Sequence, residues 1–142
     1  MNKNEKVHIF FGYWLPFLLW AIVIFLFSAN PTTRTSEIHW QDFIVKKTAH
    51  IVEYAVFTTL LYRALRKSDF DLKKAGYTAL ATAFLYGTTD EYHQSFTPGR
   101  EPTLRDIIFD SLGSGIALYV IWYYLPKASQ SCKKLAKRME II

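Results

Sequence analysis

The chain has one cysteine, Cys132, in 142 residues, so no disulfide can close within it and cysteine usage says nothing about an oxidising compartment. Glycine and proline are sparse, six and five, and no repeat or low-complexity tract is visible, which excludes collagen-like structure. Disorder is excluded by a composition that is 51% hydrophobic and 17% aromatic. Several catalytic signatures are also missing. There is no HExxH metal motif and no nucleophile elbow, and nothing in sequence pairs Ser95 or Ser111 with a base, so serine-type catalysis is not expected. Gly113, Ser114, Gly115 and Ala117 read as small residues for close helix packing, not as a phosphate loop. What is present suits one domain with a sizeable core. Seventeen Lys+Arg against twelve Asp+Glu leave a net charge of +5. The mean hydropathy of +0.06 lies between soluble and membrane chains, so the distribution has to decide.

Charge is absent from residues 10–29, an apolar and aromatic run behind a cationic start. Twenty helical residues span roughly 30 Å, one hydrocarbon core. The run is too long for the apolar part of a signal peptide, and the Ser-Ala-Asn-Pro after it is a poor cleavage site, so a retained anchor is expected. Asn30-Pro31 closes that helix. Further helical stretches are expected at 43–65, 75–90 and 107–125, the last ending at Pro126, with a charged connector at 63–74. The basic tail carries Leu135 and Met139 at helical spacing. These stretches are too long and too poorly alternating for strands. The expectation is an all-α polytopic membrane protein, with residues 1–126 forming a bundle of four transmembrane helices and 127–142 a cytoplasmic tail. A soluble helical protein stays open as the alternative, because the second and third stretches are polar for isolated insertion.

Lys3, Lys6, Arg63, Arg66, Lys67, Lys73, Lys74, Lys127, Lys133, Lys134, Lys137 and Arg138, twelve of the seventeen basic residues, fall on the side of the termini. The positive-inside rule then places both termini in the cytoplasm. The positive balance becomes a topology signal and an anionic-lipid contact, and no nucleic-acid partner is expected. The unusual ionisable residues gather on the opposite half. Lys47, His50 and Tyr54 share one helix face with Glu53 beside them; Tyr86, Asp90 and His93 form a second stripe, followed by Glu91 and Gln94; Asp106 and Asp110 form a third. Ions near a bilayer usually face a bundle interior or a watery cavity. Convergence in one cavity is one reading; wetted helix ends, with Glu53 paired to Lys46 or Lys47, is the other. Three chemistries stay open: anion recognition by Lys47, Arg100 and Arg105; a divalent metal among the carboxylates and imidazoles; and acid–base hydrolysis.

Tyr86-Gly87-Thr88-Thr89-Asp90-Glu91-Tyr92-His93-Gln94-Ser95-Phe96-Thr97-Pro98-Gly99-Arg100, followed by Asp106, Asp110 and Gly113, resembles the signature of the VanZ-like family. Lys47-x-x-His50-x-x-Glu53-Tyr54 matches that family's second-helix motif, and together the motifs cover about residues 43–120. Asp110 stands where that pattern has Asn. The resemblance implies a multi-pass protein of the bacterial cell membrane, of Gram-positive or related bacteria, in a family whose named member lowers susceptibility to teicoplanin. It carries no catalytic assignment. The functional expectation is an outward-facing polar pocket that binds, and in its enzymatic form processes, an anionic lipid-linked cell-wall intermediate such as an undecaprenyl-linked phosphate. Lys47 and Arg100 would meet phosphate, with Tyr54, Tyr86, Gln94, Asp106 and Asp110 also at the ligand. His50 and His93 would move protons beside Glu53, Asp90 and Glu91. A membrane-embedded metal-dependent hydrolase and a non-enzymatic adaptor with a structural polar cluster are the alternatives.

Overall fold

The computed structural model describes residues 2–29, 39–97 and 103–141. Four long helices and one short one account for nearly all of them: α1 (Lys3–Ala29), α2 (His39–Lys67), α3 (Leu72–Gln94), α4 (Leu104–Lys127) and α5 (Gln130–Arg138). There is no strand among the described residues. The helices start where side chains can satisfy free amides. The Asn2 amide donates to Glu5 Oε2 at 2.7 Å, Asp71 accepts from the Lys74 amide at 2.8 Å, and Ser129 accepts from the Cys132 amide.

Each long helix overruns its expected bounds. Residues 39–42 extend α2 backwards, since polar side chains are no barrier to a helix that is held by tertiary packing. The extension of α3 from Asp90 to Gln94 puts His93 on the helix, not just past its end. Both prolines inside long helices follow a widened π turn. The Leu15 amide reaches back to Phe10 and the Leu125 amide to Val120, each one residue before a proline that has no amide to give. Pro16 is thereby carried within α1, whereas at Pro126 the last turn of α4 tightens to a 3₁₀ turn.

Cross-helix contacts establish an up-down-up-down order. Trp14 donates to Ser68 at 3.1 Å and Trp20 to the Glu53 carbonyl at 2.9 Å, so α1 and α2 are antiparallel. Tyr86 donates to the Ala21 carbonyl at 2.6 Å, and the His93 ring lies 4.5 Å from that of Phe25, so α1 and α3 run the same way. Helix α2 is central. Its Tyr54, Phe57, Leu61, Tyr62 and Leu65 are buried against Phe17 and Ile24 of α1, Ala75, Ala79 and Ala83 of α3, and Leu118 and Ile121 of α4. The alanine ladder on α3 lets that helix approach closely. Phe57 stacks on Tyr86 at 4.9 Å and meets Phe17 edge-on at 5.0 Å, geometries that add about 0.5–1.5 kcal/mol each beyond burial.

Two of the long helices, Lys3–Ala29 and Leu104–Lys127, are long and apolar enough to cross a membrane. The short helix α5 folds back on the bundle. Ala136 is buried, Ile141 packs on the core, and Glu140 accepts from the Tyr13 hydroxyl and pairs with Lys67 at 3.0 Å. Leu135 and Met139, the apolar pair read from the tail, remain exposed.

Candidate functional site

Helices α2 and α4 are brought together by a glycine. A Cβ on Gly113 would lie 2.9 Å from the Ile51 carbonyl carbon and closer still to its oxygen, so only glycine permits this backbone approach. The same closeness lets one face of α2 meet one face of α4 in polar pairs. Lys47 forms an ion pair with Asp106. His50 Nδ1 is bonded to Asp110 Oδ1 at 2.8 Å, and its Nε2 lies 3.9 Å from Asp106 Oδ2. Asp110 is 1% exposed, and the Ser114 hydroxyl donates to its carbonyl at 3.0 Å.

Beside these pairs, between α1, α2, α3 and the start of α4, lies a cavity of about 280 Å³. Lys46, Lys47, His50, Glu53 and Tyr54 line it from α2, Asp90 and Gln94 from α3, Asp106 from α4, and Ser28 from α1. Gln94 Nε2 donates to Asp90 Oδ2 at 2.9 Å. Four buried polar atoms on these walls have no protein partner: Asp90 Oδ1 and the hydroxyls of Ser28, Tyr54 and Thr103. Buried polar atoms are normally paired, so four orphans on one cavity mark a place built to receive something polar.

Gly87 sits where any side chain would intrude. A Cβ there would stand 3.0 Å from Asp110 Oδ2 and 3.3 Å from the Tyr54 hydroxyl. The match of a VanZ/LLP1 family model to residues 11–125 takes in every residue of the cavity and all of these pairs. The chain belongs to the VanZ/LLP1 family. No curated protein and no solved structure matches it. Family membership and the two apolar helices together mark a membrane protein.

Within this VanZ/LLP1 chain the expected residues divide. Lys47, His50, Glu53, Tyr54, Asp90, Gln94 and Asp106 meet at the cavity, and Asp110 stands behind His50. Three others do different things. Tyr86 is tied to the α1 backbone, His93 lies against Phe25, and Glu91 accepts the Thr103 amide at 2.8 Å, fastening the end of α3 to the start of α4. Arg100 lies outside the described residues. Lys46 is on Asp42 at 2.7 Å and Lys47 on Asp106, so each lysine has a carboxylate partner other than Glu53. Arg105 is exposed, with its guanidinium 5.5 Å from the Phe43 ring.

Ser28, Lys46 and Thr103 are polar wall residues that no sequence motif assigned to a site. Ser28 gave one faint signal, a hydroxyl inside an otherwise apolar run. Among the described residues no three His, Cys, Asp or Glu side chains are placed to hold one metal ion. What the arrangement can do is position a proton acceptor. The bond between Nδ1 and Asp110 fixes the His50 ring, and a neutral ring that donates Nδ1–H to that carboxylate keeps its Nε2 lone pair for a ligand.

Proposed function

We propose that the cavity receives the polar head of a membrane-embedded cell-envelope amphiphile, an anionic lipid-linked cell-wall intermediate, and that His50 moves a proton there. The observation that carries this reading is the set of four unpartnered polar atoms, on Ser28, Tyr54, Asp90 and Thr103, around the same cavity as a carboxylate-oriented histidine. Family membership supplies the envelope context, the resistance to glycopeptides for which the family is named. Both lysines of the cavity already sit on carboxylates. A phosphate therefore competes with Asp106 for Lys47, while the hydroxyls or amides of the head have Asp90 Oδ1 to donate to.

All four long helices cross the membrane in this reading, with both termini in the cytoplasm and the cavity toward the outer face. Helix α3 is polar on average, but between Lys74 and the end of the helix its exposed residues carry no charge. Its exposed threonines are also internally satisfied, Thr88 by the Phe84 carbonyl at 2.9 Å and Thr89 by that of Tyr86 at 2.8 Å. Such hydroxyls need nothing from lipid. Ile44, Val45 and Val52 face outward from α2, whose Lys46, Lys47, His50 and Glu53 line the cavity.

A second reading, a non-enzymatic adaptor with a structural polar lock, is favoured by the two pairs joining α2 to α4. The experiment that separates them uses detergent-purified protein exposed to bacterial lipid extract, with retained species identified by mass spectrometry. The expected result is retention of a prenyl-phosphate-linked species by the parent chain and its loss in Asp90→Asn, whose thermal unfolding midpoint is not lowered. Equal retention by both overturns the ligand site. An Asp90→Asn chain that cannot fold supports the lock.

A further inference from the structure

A second hollow, of about 670 Å³, opens at the end of the bundle that holds both termini. It shares no residue with the cavity beside His50. Its electrostatics are the reverse. Arg66, Lys67, Lys73 and Lys137 line it against a single carboxylate, Glu140, which leaves an excess of three positive charges, four less one. Glu140 is engaged by Lys67 and Tyr13. Arg66 Nη1 donates to the Phe70 carbonyl at 2.7 Å, leaving the remainder of its fork. Lys73 Nζ stands 3.9 Å from the centroid of the Trp122 ring. Lys137 has no ion pair among the described residues.

About half of the lining is apolar or aromatic, with Ile121, Trp122 and Pro126 at the end of α4 beside Tyr62, Leu72 and Ile141. Leu72 of the lining is exposed, and the exposed Tyr123 ring lies 5.5 Å from Lys73 Nζ. Cations that are not neutralised, beside an apolar wall and apolar surroundings, fit a ligand with a charged head and a greasy body. We propose that this hollow binds the phosphate headgroup of an anionic phospholipid in the leaflet next to the termini. Arg66 offers a planar donor pair to phosphate oxygens, and Lys73 and Lys137 act as point charges. The apolar end of α4 carries the glycerol and the first methylenes. A freely soluble anion makes no use of that wall.

The test titrates the detergent-solubilised full chain with brominated phosphatidylglycerol or brominated phosphatidylcholine and follows tryptophan quenching. Phosphatidylglycerol quenches at the lower mole fraction, and Trp122→Phe removes that difference. Neutralising a basic residue at a lipid surface costs about fivefold, so Lys73→Gln with Lys137→Gln weakens phosphatidylglycerol about 25-fold and leaves phosphatidylcholine unchanged. Both lysines are exposed or at the rim, so the pair folds. Lys3→Gln with Lys6→Gln removes the same charge outside the hollow and leaves quenching as in the parent. Equal weakening by that control pair shows diffuse attraction and overturns the site, as does equal quenching by the two lipids. Relief of quenching by millimolar inorganic phosphate shows a site for free anions and overturns the lipid assignment. Asp90→Asn leaves all these readings unchanged, so failure here and failure at the His50 cavity are distinguishable.

Discussion

An unpaired carboxylate oxygen inside a helical bundle costs about 1–3 kcal/mol, and Asp90 keeps one while its other oxygen holds Gln94. Removing that charge in Asp90→Asn is expected to leave thermal stability equal or higher in a detergent melt while ligand retention is lost. His50→Gln separates binding from chemistry. Removal of a proton-transfer group lowers a rate about 10²–10⁴-fold, so if the proposed function holds, a host carrying this variant loses any glycopeptide protection the parent chain gives while the purified variant retains the same lipid as the parent. Loss of both together, with the chain folded, would place His50 in recognition alone. Helical spacing made Lys47, His50 and Tyr54 legible as neighbours, and Asp106 with Asp110 likewise. Spacing misled at Tyr86 and His93 for a geometric reason. At roughly 100° per residue, positions four before and three after Asp90 lie about 40–60° round the helix to the same side. That rotation turns both from the cavity to α1, where Ala21 and Phe25 meet them.

Among the elements, the seam between α2 and α4 depends most on one residue. Gly113→Ala drives a Cβ into the Ile51 backbone, which has no rotamer with which to yield, and overpacking of this kind costs about 1–3 kcal/mol. A lowered unfolding midpoint is expected. Gly115 is the control two residues away: nothing lies within 4 Å of a Cβ there, so Gly115→Ala is neutral or stabilising by up to about 1 kcal/mol of helix propensity. Equal midpoints for the two variants would remove the seam from the account. The sequence foretold small residues for helix packing here, but not which of the two glycines faces a neighbour. The helices themselves were legible from apolar runs and prolines. Their ends were not, because the added turns of α2 and α3 are polar and are held by packing and by the tie from Glu91 to Thr103.

At the scale of the whole molecule, the uneven charge was the clearest sign of topology, and the lone cysteine makes it testable. Cys132 is exposed on the tail. A membrane-impermeant maleimide added to intact cells is expected to leave Cys132 unlabelled, and to label Ser95→Cys in a Cys132→Ser background. The reverse pattern inverts the orientation. The attachment of the tail through Glu140 was not legible, because its partners Tyr13 and Lys67 lie far away in sequence. Tyr13 donates to Glu140 and Lys67 pairs with it, and together they hold its carboxyl below the ordinary glutamate range. A carboxyl with a lowered folded pKa stabilises above its unfolded pKa and loses that contribution as pH falls through the folded value. Protection of the 130–141 backbone against hydrogen exchange is therefore expected to fade below about pH 4, close to the reference glutamate pKa, and to be weaker and flat with pH in Glu140→Gln.

The Gly113 contact with Ile51 also constrains how the cavity beside it can be filled. Two backbones in van der Waals contact can neither slide nor part without losing their register, so the spacing of His50 from Asp110 is set before any guest arrives. Widening has to come from the opposite wall, where α1 contributes Ile24, Phe27 and Ser28 and shows much of its remaining length to the outside. Helix α1 is the leaf of the door, and α2 with α4 is its frame.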